Sequence, residues 1–239
     1  FKISLNTPII MLFGIFLFIP GCIIGKFFHL YDLPKPNGNL TIGTIQFDWE
    51  HHNFKNLFEK DSNRNRRIMV QFWYPGKRNQ HLDPYLYSND SIVVEALSEE
   101  YKIPPRLLKK SVTIRTNSYY DLEPEMNNKK YPLIIFSHGK GGYAKQNTVQ
   151  FEELVSTGYI VASIDHSYDA LITVFSDGSI APYVSDNPKK VGGKINSDKI
   201  TNDKLSSRVA DVTYLLDKIW FDNDYHPIFG MIDTSKVGM

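Results

Sequence analysis

Two short stretches hold most of the residues whose types and spacing could do chemistry. The first is YPLIIFSHGKGGY, residues 131 to 143, where an apolar run gives way to His138 and then to Gly139, Lys140, Gly141 and Gly142. The second is YIVASIDHSYD, residues 159 to 169, where a similar run ends at Asp165 and His166. The three glycines permit backbone conformations closed to other residues and let a ligand come close to main-chain N–H groups. Donors exposed in that way stabilise either a phosphate or a developing oxyanion. The phosphate-loop reading fails on detail, since neither G-x-x-x-x-G-K-[ST] nor G-x-G-x-x-G occurs in the chain.

HGKGG does fit the His-Gly-Gly-Gly type of loop that supplies half of an oxyanion hole. A glycine-rich tight turn without chemistry is the competing reading. An oxyanion hole needs a nucleophile, and G-x-S-x-G is absent from the 239 residues. Either the chain does no acyl transfer, or its serine follows the strand that begins with SKVGM at 235–239. His138 and His166 both sit where a strand ends, a position that suits a hydrogen-bonded scaffold residue as well as an acid or base. His138 is expected to shape the glycine loop by bonding neighbouring backbone. Asp165 and His166 are expected to tie down the second loop, with a contact to substrate left open.

Other candidates read more plainly. The adjacent His51 and His52 would face opposite ways on a strand and lack a third ligand, so a solvated loop is expected rather than a metal site. Arg208 and Asp211, three apart on a helix, suggest a surface or helix-to-sheet salt bridge. Lys189, Lys190 and Lys194 could meet anionic lipid head groups but read first as a solvated loop. Phe72, Trp73 and Tyr74 read as strand packing.

The elements that must position these residues are legible from periodicity. Alternating, β-branched stretches predict strands at 41–49 and 66–75, with a polar loop between them and an antiparallel pairing. Helical spacing over 90–109 breaks at Pro104-Pro105, and SVTIRT at 111–116 predicts a third strand. Continuous apolar runs at 131–138 and 159–165 predict strands buried on both faces, with a helix at 147–158 stopped by Gly158. Residues 172–200 read as a long irregular insertion. A helix over 203–220 is expected to bury a face made of Leu205, Val209, Val212, Leu215, Leu216 and Ile219. SKVGM begins what reads as another buried strand. The alternation of strand and helix in the second half predicts an α/β fold, an antiparallel β section followed by a parallel sheet with crossover helices.

Hydrophobic residues make up 42% and charged residues 22%, as in folded globular chains, and the net charge of +1 with interleaved signs argues against nucleic-acid binding. One cysteine, Cys22, excludes an intrachain disulfide and a multi-cysteine metal site, and no cofactor is expected. Residues 8 to 24, PIIMLFGIFLFIPGCII, carry no charge. That length lies at the lower limit for a membrane-spanning helix. A transmembrane anchor, a cleaved signal segment, a lipoprotein signal using Cys22 and a buried core helix are the readings open to it. The organisation expected is an anchor or signal segment at 1–26, a linker at 27–40 and an incomplete α/β domain at 41–239.

The order of LPKPNGNLTIGTIQFDW, RRIMVQFWYP, YPLIIFSHGKGGY, GYIVASIDHSYD, RVADVTYLLDKI and KVGM resembles plasma-type platelet-activating factor acetylhydrolases. It is closer still to their bacterial membrane-anchored relatives in the α/β-hydrolase superfamily. FSHG followed by IDH at 164–166 is the most specific pair. The resemblance implies a serine esterase acting on short or oxidised acyl esters, phospholipids among them. In that family a strand like KVGM runs into G-H-S-x-G-G, and the triad comes later, so a chain ending at Met239 is expected to lack its nucleophile and to be inert alone. The backbone N–H of Lys140 matches one oxyanion donor in the loop that Gly139 opens, with Gly141 and Gly142 supporting it. Neither His138 nor His166 matches the catalytic histidine. The alternatives are a non-catalytic, membrane-tethered relative that keeps the loop, and a hydrolase of small dienelactone-like esters.

Overall fold

The computed structural model describes residues 32–58, 64–77, 83–85, 91–108, 114–187, 189–221 and 226–239. The apolar run at 8–24 and Cys22 lie outside the described residues. Among the described residues no helix is long and apolar enough to cross a membrane. One compact unit runs from Leu33 to Met239. Its first residues, expected to be a linker, lie along the body: the Asn37 N–H donates to Glu153 at 2.9 Å and the Leu40 N–H to the Ser156 carbonyl at 3.2 Å.

Among the described residues of this unit there are eight strands and four α-helices. In chain order they are β1 (Thr41–Lys55), β2 (Asn65–Gly76), α1 (Ser91–Tyr101), α2 (Pro105–Leu108), β3 (Ser118–Tyr120), β4 (Tyr131–Ser137) and α3 (Thr148–Thr157). There follow β5 (Ile160–Asp165), β6 (Ile172–Val174), β7 (Ile180–Pro182), α4 (Lys194–Phe221) and β8 (Ile232–Gly238). Six strands form one mixed sheet in the order β3-β1-β2-β5-β4-β8, and β6 and β7 form a separate hairpin. β1 pairs antiparallel with β2 and β2 with β5, while β4 pairs parallel with both β5 and β8.

Period-two alternation sorts the strand residues to two faces. Ile68, Val70, Phe72 and Tyr74 of β2 join Leu133 and Ile135 of β4 and Ile160 and Ile164 of β5 on one face, where Leu215 and Ile219 of α4 cover them. Trp73, Val161 and the partly buried Ile134 and Phe136 lie on the other face, under Phe151 and Val155 of α3. The helices therefore cover the sheet from both sides, which is why β4 and β5 read as unbroken apolar runs. Gly158 ends α3 in the left-handed conformation at φ 108°, and its N–H bonds back to Val155. The Phe72-Trp73-Tyr74 run is wholly core, with each residue at most 1% exposed.

The two crossovers run in opposite directions along the sheet. α3 carries the chain from β4 to β5 over one face, and α4 carries it from β5 back over the other face, past β4, to β8. Such a reversal leaves a crevice at the carboxyl ends of the strands where it occurs. Here that crevice lies beyond Ser137 of β4.

Several expectations from the sequence need correction. β1 does not stop at 49 but carries His51 and His52 on to Lys55. Its outer end is held by polar contacts that hydropathy does not register, among them Asn65 donating to Glu50 at 2.7 Å and the His51 ring stacked on Tyr214 at 4.2 Å. The third strand is Ser118–Tyr120, whereas residues 114 and 116 are in no strand and 111–113 lie outside the described residues. It is pinned there by the buried Glu152 of α3, which accepts bonds from the Ser118 hydroxyl at 2.5 Å and the Asn117 N–H at 2.7 Å. The segment 172–200 is not wholly irregular, since it holds the β6–β7 hairpin and the first turns of α4. Among the described residues β8 lies at one end of the sheet, and Ile232 is its buried residue.

α4 is 28 residues long and starts at Lys194, not 203. Its extra turns carry Lys194–Asp198 and Lys199–Asp203 pairs at i,i+4 rather than an apolar stripe. Its buried face matches the expected one only in its second half, where Leu215 and Ile219 are buried and Val212 and Leu216 pack against the core. Leu205 and Val209 are exposed, and the buried positions are Ser197, Lys204, Ser207, Asp211, Leu215 and Ile219. Replacing Leu215 by Ala is expected to lower stability by about 2–5 kcal/mol. The same change at Leu205 should alter it by less than about 0.5 kcal/mol. Denaturant midpoints of the two variants check which face of α4 is inside.

Candidate active site

The glycine loop leaves β4 at Ser137 and is bound to the loop after β5. The Gly141 N–H donates to the Asp169 carbonyl at 3.0 Å and the Leu171 N–H to the Gly142 carbonyl at 2.8 Å. Within the loop, the Gly142 N–H closes a turn on the Gly139 carbonyl at 2.9 Å. Gly141 needs its glycine because its φ is 68°, in the left-handed region. Gly142 needs its own because a Cβ there would lie 2.3 Å from Gln146 Oε1 and 3.0 Å from the Gly139 carbonyl. A Cβ at Gly139 would meet nothing within 4 Å, so this residue borders open space. Two of the loop amides are thus spent internally. Among the described residues the N–H of Lys140 has no hydrogen-bond partner. An amide held in a fixed loop without an internal partner can donate to a negative oxygen.

His138 and His166 shape this loop from beneath, and both rings are fully buried. His138 Nδ1 lies 2.7 Å from the Gly139 carbonyl, and the backbone N–H of His166 lies 3.1 Å from His138 Nε2. A carbonyl can only accept and an N–H can only donate, so His138 is neutral with its proton on Nδ1. Burial, with His166 beside it, pushes its pKa down to about 4. His166 donates from Nδ1 to Asp211 Oδ2 at 2.8 Å, and its Nε2 accepts from the Ser137 hydroxyl at 2.8 Å.

Ser137, His166 and Asp211 therefore have the spacing of a serine–histidine–aspartate triad. Their surroundings favour scaffolding instead. Burial lowers the pKa of His166 despite Asp211, and the Arg208 and Arg66 guanidiniums further oppose the imidazolium that general-base catalysis requires. Asp211 is also committed to Arg66, whose Nε and Nη2 donate to its two oxygens at 2.6 and 2.7 Å. Burial alone would raise the Asp211 carboxyl, but Arg66 and the His166 bond hold it below the usual range. Arg208 adds a second tie, donating from Nη1 to the His138 carbonyl at 2.6 Å and to Ser137 Oγ at 3.2 Å, and from Nε to Asp169 at 2.6 Å. Arg208 and Asp211 thus do not pair with each other. Each reaches from α4 to a different part of the sheet end.

Asp165 faces the other flank of the loop. Its Oδ1 accepts the Ala144 N–H at 2.6 Å, fixing the turn that leads into α3. Burial raises its pKa to about 6, against the pull of that bond and of Lys145. Tyr168, in the turn after His166, adopts φ 68°, a conformation unfavourable for a bulky side chain and of a kind that collects near functional sites. Among the described residues no three His, Cys, Asp or Glu side chains gather as a metal site.

Sequence reasoning singled out the loop, His138, Asp165 and His166, and the structure brings them together at one sheet end. It missed Ser137, Arg66, Asp169 and the part played by Asp211. The signal that could have found them was the polar stripe Lys204, Arg208 and Asp211 on a long helix, spaced to face one way.

A family model described as "Platelet-activating factor acetylhydrolase, isoform II" matches residues 24–223. The platelet-activating factor acetylhydrolase of Canis lupus familiaris is 28% identical over 141 residues, which is 56% of this chain and 28% of that protein. The corresponding protein of Cavia porcellus is 25% identical over 137 residues, with the same two shares. The match thus spans 28% of the length of each of these relatives. Among solved structures, a ferulic acid esterase from Streptomyces cinnamoneus superposes with a TM-score of 0.66 at 21% identity, covering 87% of this chain and 54% of that one. At that identity the likeness is one of fold.

Asp165 gives a test of the site's electrostatics. A carboxyl whose folded pKa is about 6 binds its proton more tightly than in the unfolded chain, so the fold loses stability as pH rises from about 4 through 6. Asp165→Asn removes that loss and keeps an oxygen for the Ala144 N–H. The variant should match the parent near pH 4 and exceed it by up to about 3 kcal/mol at pH 7.5. Urea unfolding at the two pH values reads the difference.

Proposed function

Because the chain belongs to the platelet-activating factor acetylhydrolase isoform II family and has an α/β-hydrolase fold, we propose that it is the loop-bearing part of a carboxyl-ester hydrolase. The observation that carries this reading is the Lys140 amide, fixed beside two amides that are already spent. In the proposed mechanism a serine attacks the ester carbonyl, and the new negative oxygen takes a hydrogen bond from the Lys140 N–H. Gly139 leaves room for the carbonyl to approach, and Gly142 keeps the turn tight. His138, through its bond to the Gly139 carbonyl, sets the direction in which the next amide points. Asp165 and His166 position the two flanks of the loop and take no proton in the reaction.

The nucleophile in this reading follows β8, whose carboxyl end opens beside that of β4, and the triad histidine and acid follow it. Substrates would be short or oxidised acyl esters, phospholipid esters among them. The uncharged run at 8–24 would hold the protein to a membrane near such substrates.

Fluorophosphonate labelling of the full-length protein tests the assignment. The label should fall on a serine after β8 and should persist in Ser137→Ala. Loss of labelling in Ser137→Ala would transfer the nucleophile to the buried relay, and absence of any labelling would favour a non-catalytic binding protein. Membrane attachment has a separate check. The protein should stay in the membrane pellet after alkaline carbonate extraction, and release into the supernatant would exclude a spanning anchor.

A further inference from the structure

A pocket of about 220 Å³ lies against the outer side of the glycine loop, walled by Lys140, Asp169, Asp186, Thr201, Lys204 and Arg208. It is smaller than the pockets that enclose drug-sized ligands, and charged side chains reach it along apolar surface that includes Leu205. Its central group is Lys204, 4% exposed and projecting from the polar face of α4. The ammonium lies 3.0 Å from Asp169 Oδ1, yet neither atom has an aligned hydrogen-bond partner among the described residues. The Tyr183 ring, 3.9 Å from Nζ, offers its negative face but accepts no full hydrogen bond. A lysine carries three N–H donors, so most of its bonding capacity is unspent inside the protein.

The charges do not balance either. Asp169 is shared, with Oδ1 towards Lys204 and Oδ2 towards Arg208. Asp186 pairs with Lys140. Among the described residues that wall the pocket, three cations face two carboxylates, with Lys204 and Asp169 buried at its base and Lys140 at its solvent-facing rim. A buried cation in that state gains strongly from a matching anion.

We propose that this pocket is a subsite for a single compact oxyanion of charge −1, held by Lys204 with Lys140 and Arg208 at its rim. Lys140 then serves two places, its backbone amide facing the reacting carbonyl and its side chain walling the anion pocket. On the ester-hydrolase reading, on which this link alone rests, the anion is a group carried by the substrate close to its ester.

Thermal unfolding in the presence of dimethyl phosphate, inorganic phosphate and neutral trimethyl phosphate tests the subsite, since a ligand of the folded state raises the melting temperature. The two anions should raise it saturably and trimethyl phosphate should not. Tighter binding of dimethyl phosphate assigns the pocket to a group borne on a larger molecule, and tighter binding of inorganic phosphate assigns it to the free ion. Lys204→Met should abolish the response. If that variant does not fold, two rim changes decide: Lys140→Met should raise the half-saturation concentration several-fold, and Asp186→Asn, which removes a negative charge, should lower it several-fold. An equal response to trimethyl phosphate, or midpoints unmoved by both rim changes, would overturn the proposal. Fluorophosphonate labelling is independent of these midpoints, so failure of one reading leaves the other standing.

Discussion

The site depends on one buried carboxylate. Asp211 stands on α4 with its side chain wholly out of water, and it takes bonds from Arg66 at the start of β2 and from His166 just past β5. Removing two charges from water is costly, and their attraction repays it only when the geometry is good and the spare lone pairs are used. Here both carboxylate oxygens are engaged, one pair is bidentate, and the imidazole takes a further lone pair. Breaking one partner of such a buried pair typically costs about 3–5 kcal/mol. The interaction is therefore less a source of net stability than a constraint on how helix and sheet can meet.

From Asp211 the constraint passes to the loop by short steps. Its carboxylate sets the tautomer of His166, whose backbone N–H in turn sets that of His138, and the His138 ring then fixes the Gly139 carbonyl. Arg208, one turn earlier on the same helix, grips the His138 carbonyl from the other side. Two acceptors in this chain are shared, Asp211 Oδ2 between Arg66 and His166 and the Gly139 carbonyl between His138 and the Gly142 N–H, so each is held from two sides. A main-chain amide can be aimed accurately by such a chain, because the groups around it are locked by packing and hydrogen bonds and not by the amide's own side chain.

Much of this architecture was legible in the sequence, and the failures have physical causes. β4 and β5 could be read because strands buried on both faces must be apolar throughout, and α3 because Gly158 supplies its left-handed end. The far end of β1 was missed because Glu50, His51 and Lys55 are held by polar and ring contacts that a hydropathy pattern cannot carry. α4 was placed too late and rotated, since its buried face changes character along its length, polar from Ser197 to Asp211 and apolar from Leu215 onward. Apolar periodicity therefore pointed to Leu205 and Val209, which face solvent, while the positions facing the site carry charge. Arg208 and Asp211 stood out by spacing, but their partners lie in distant segments that no local rule connects.

That remoteness bears on the order of assembly. Arg66 and Asp211 are 145 residues apart in the chain, and Ser137 and Arg208 are 71 apart. Contacts of such long range close late, because the loop between them must be ordered before they form. During synthesis β4, α3 and β5 can pack while α4 is still unmade, since their shared face is apolar and nearly contiguous. The glycine loop would then exist for a time as an unlatched segment, with its amides pointing in no fixed direction. Helix α4 thus bears on timing as well as walling the sheet: the glycine loop takes a fixed orientation only when this helix docks.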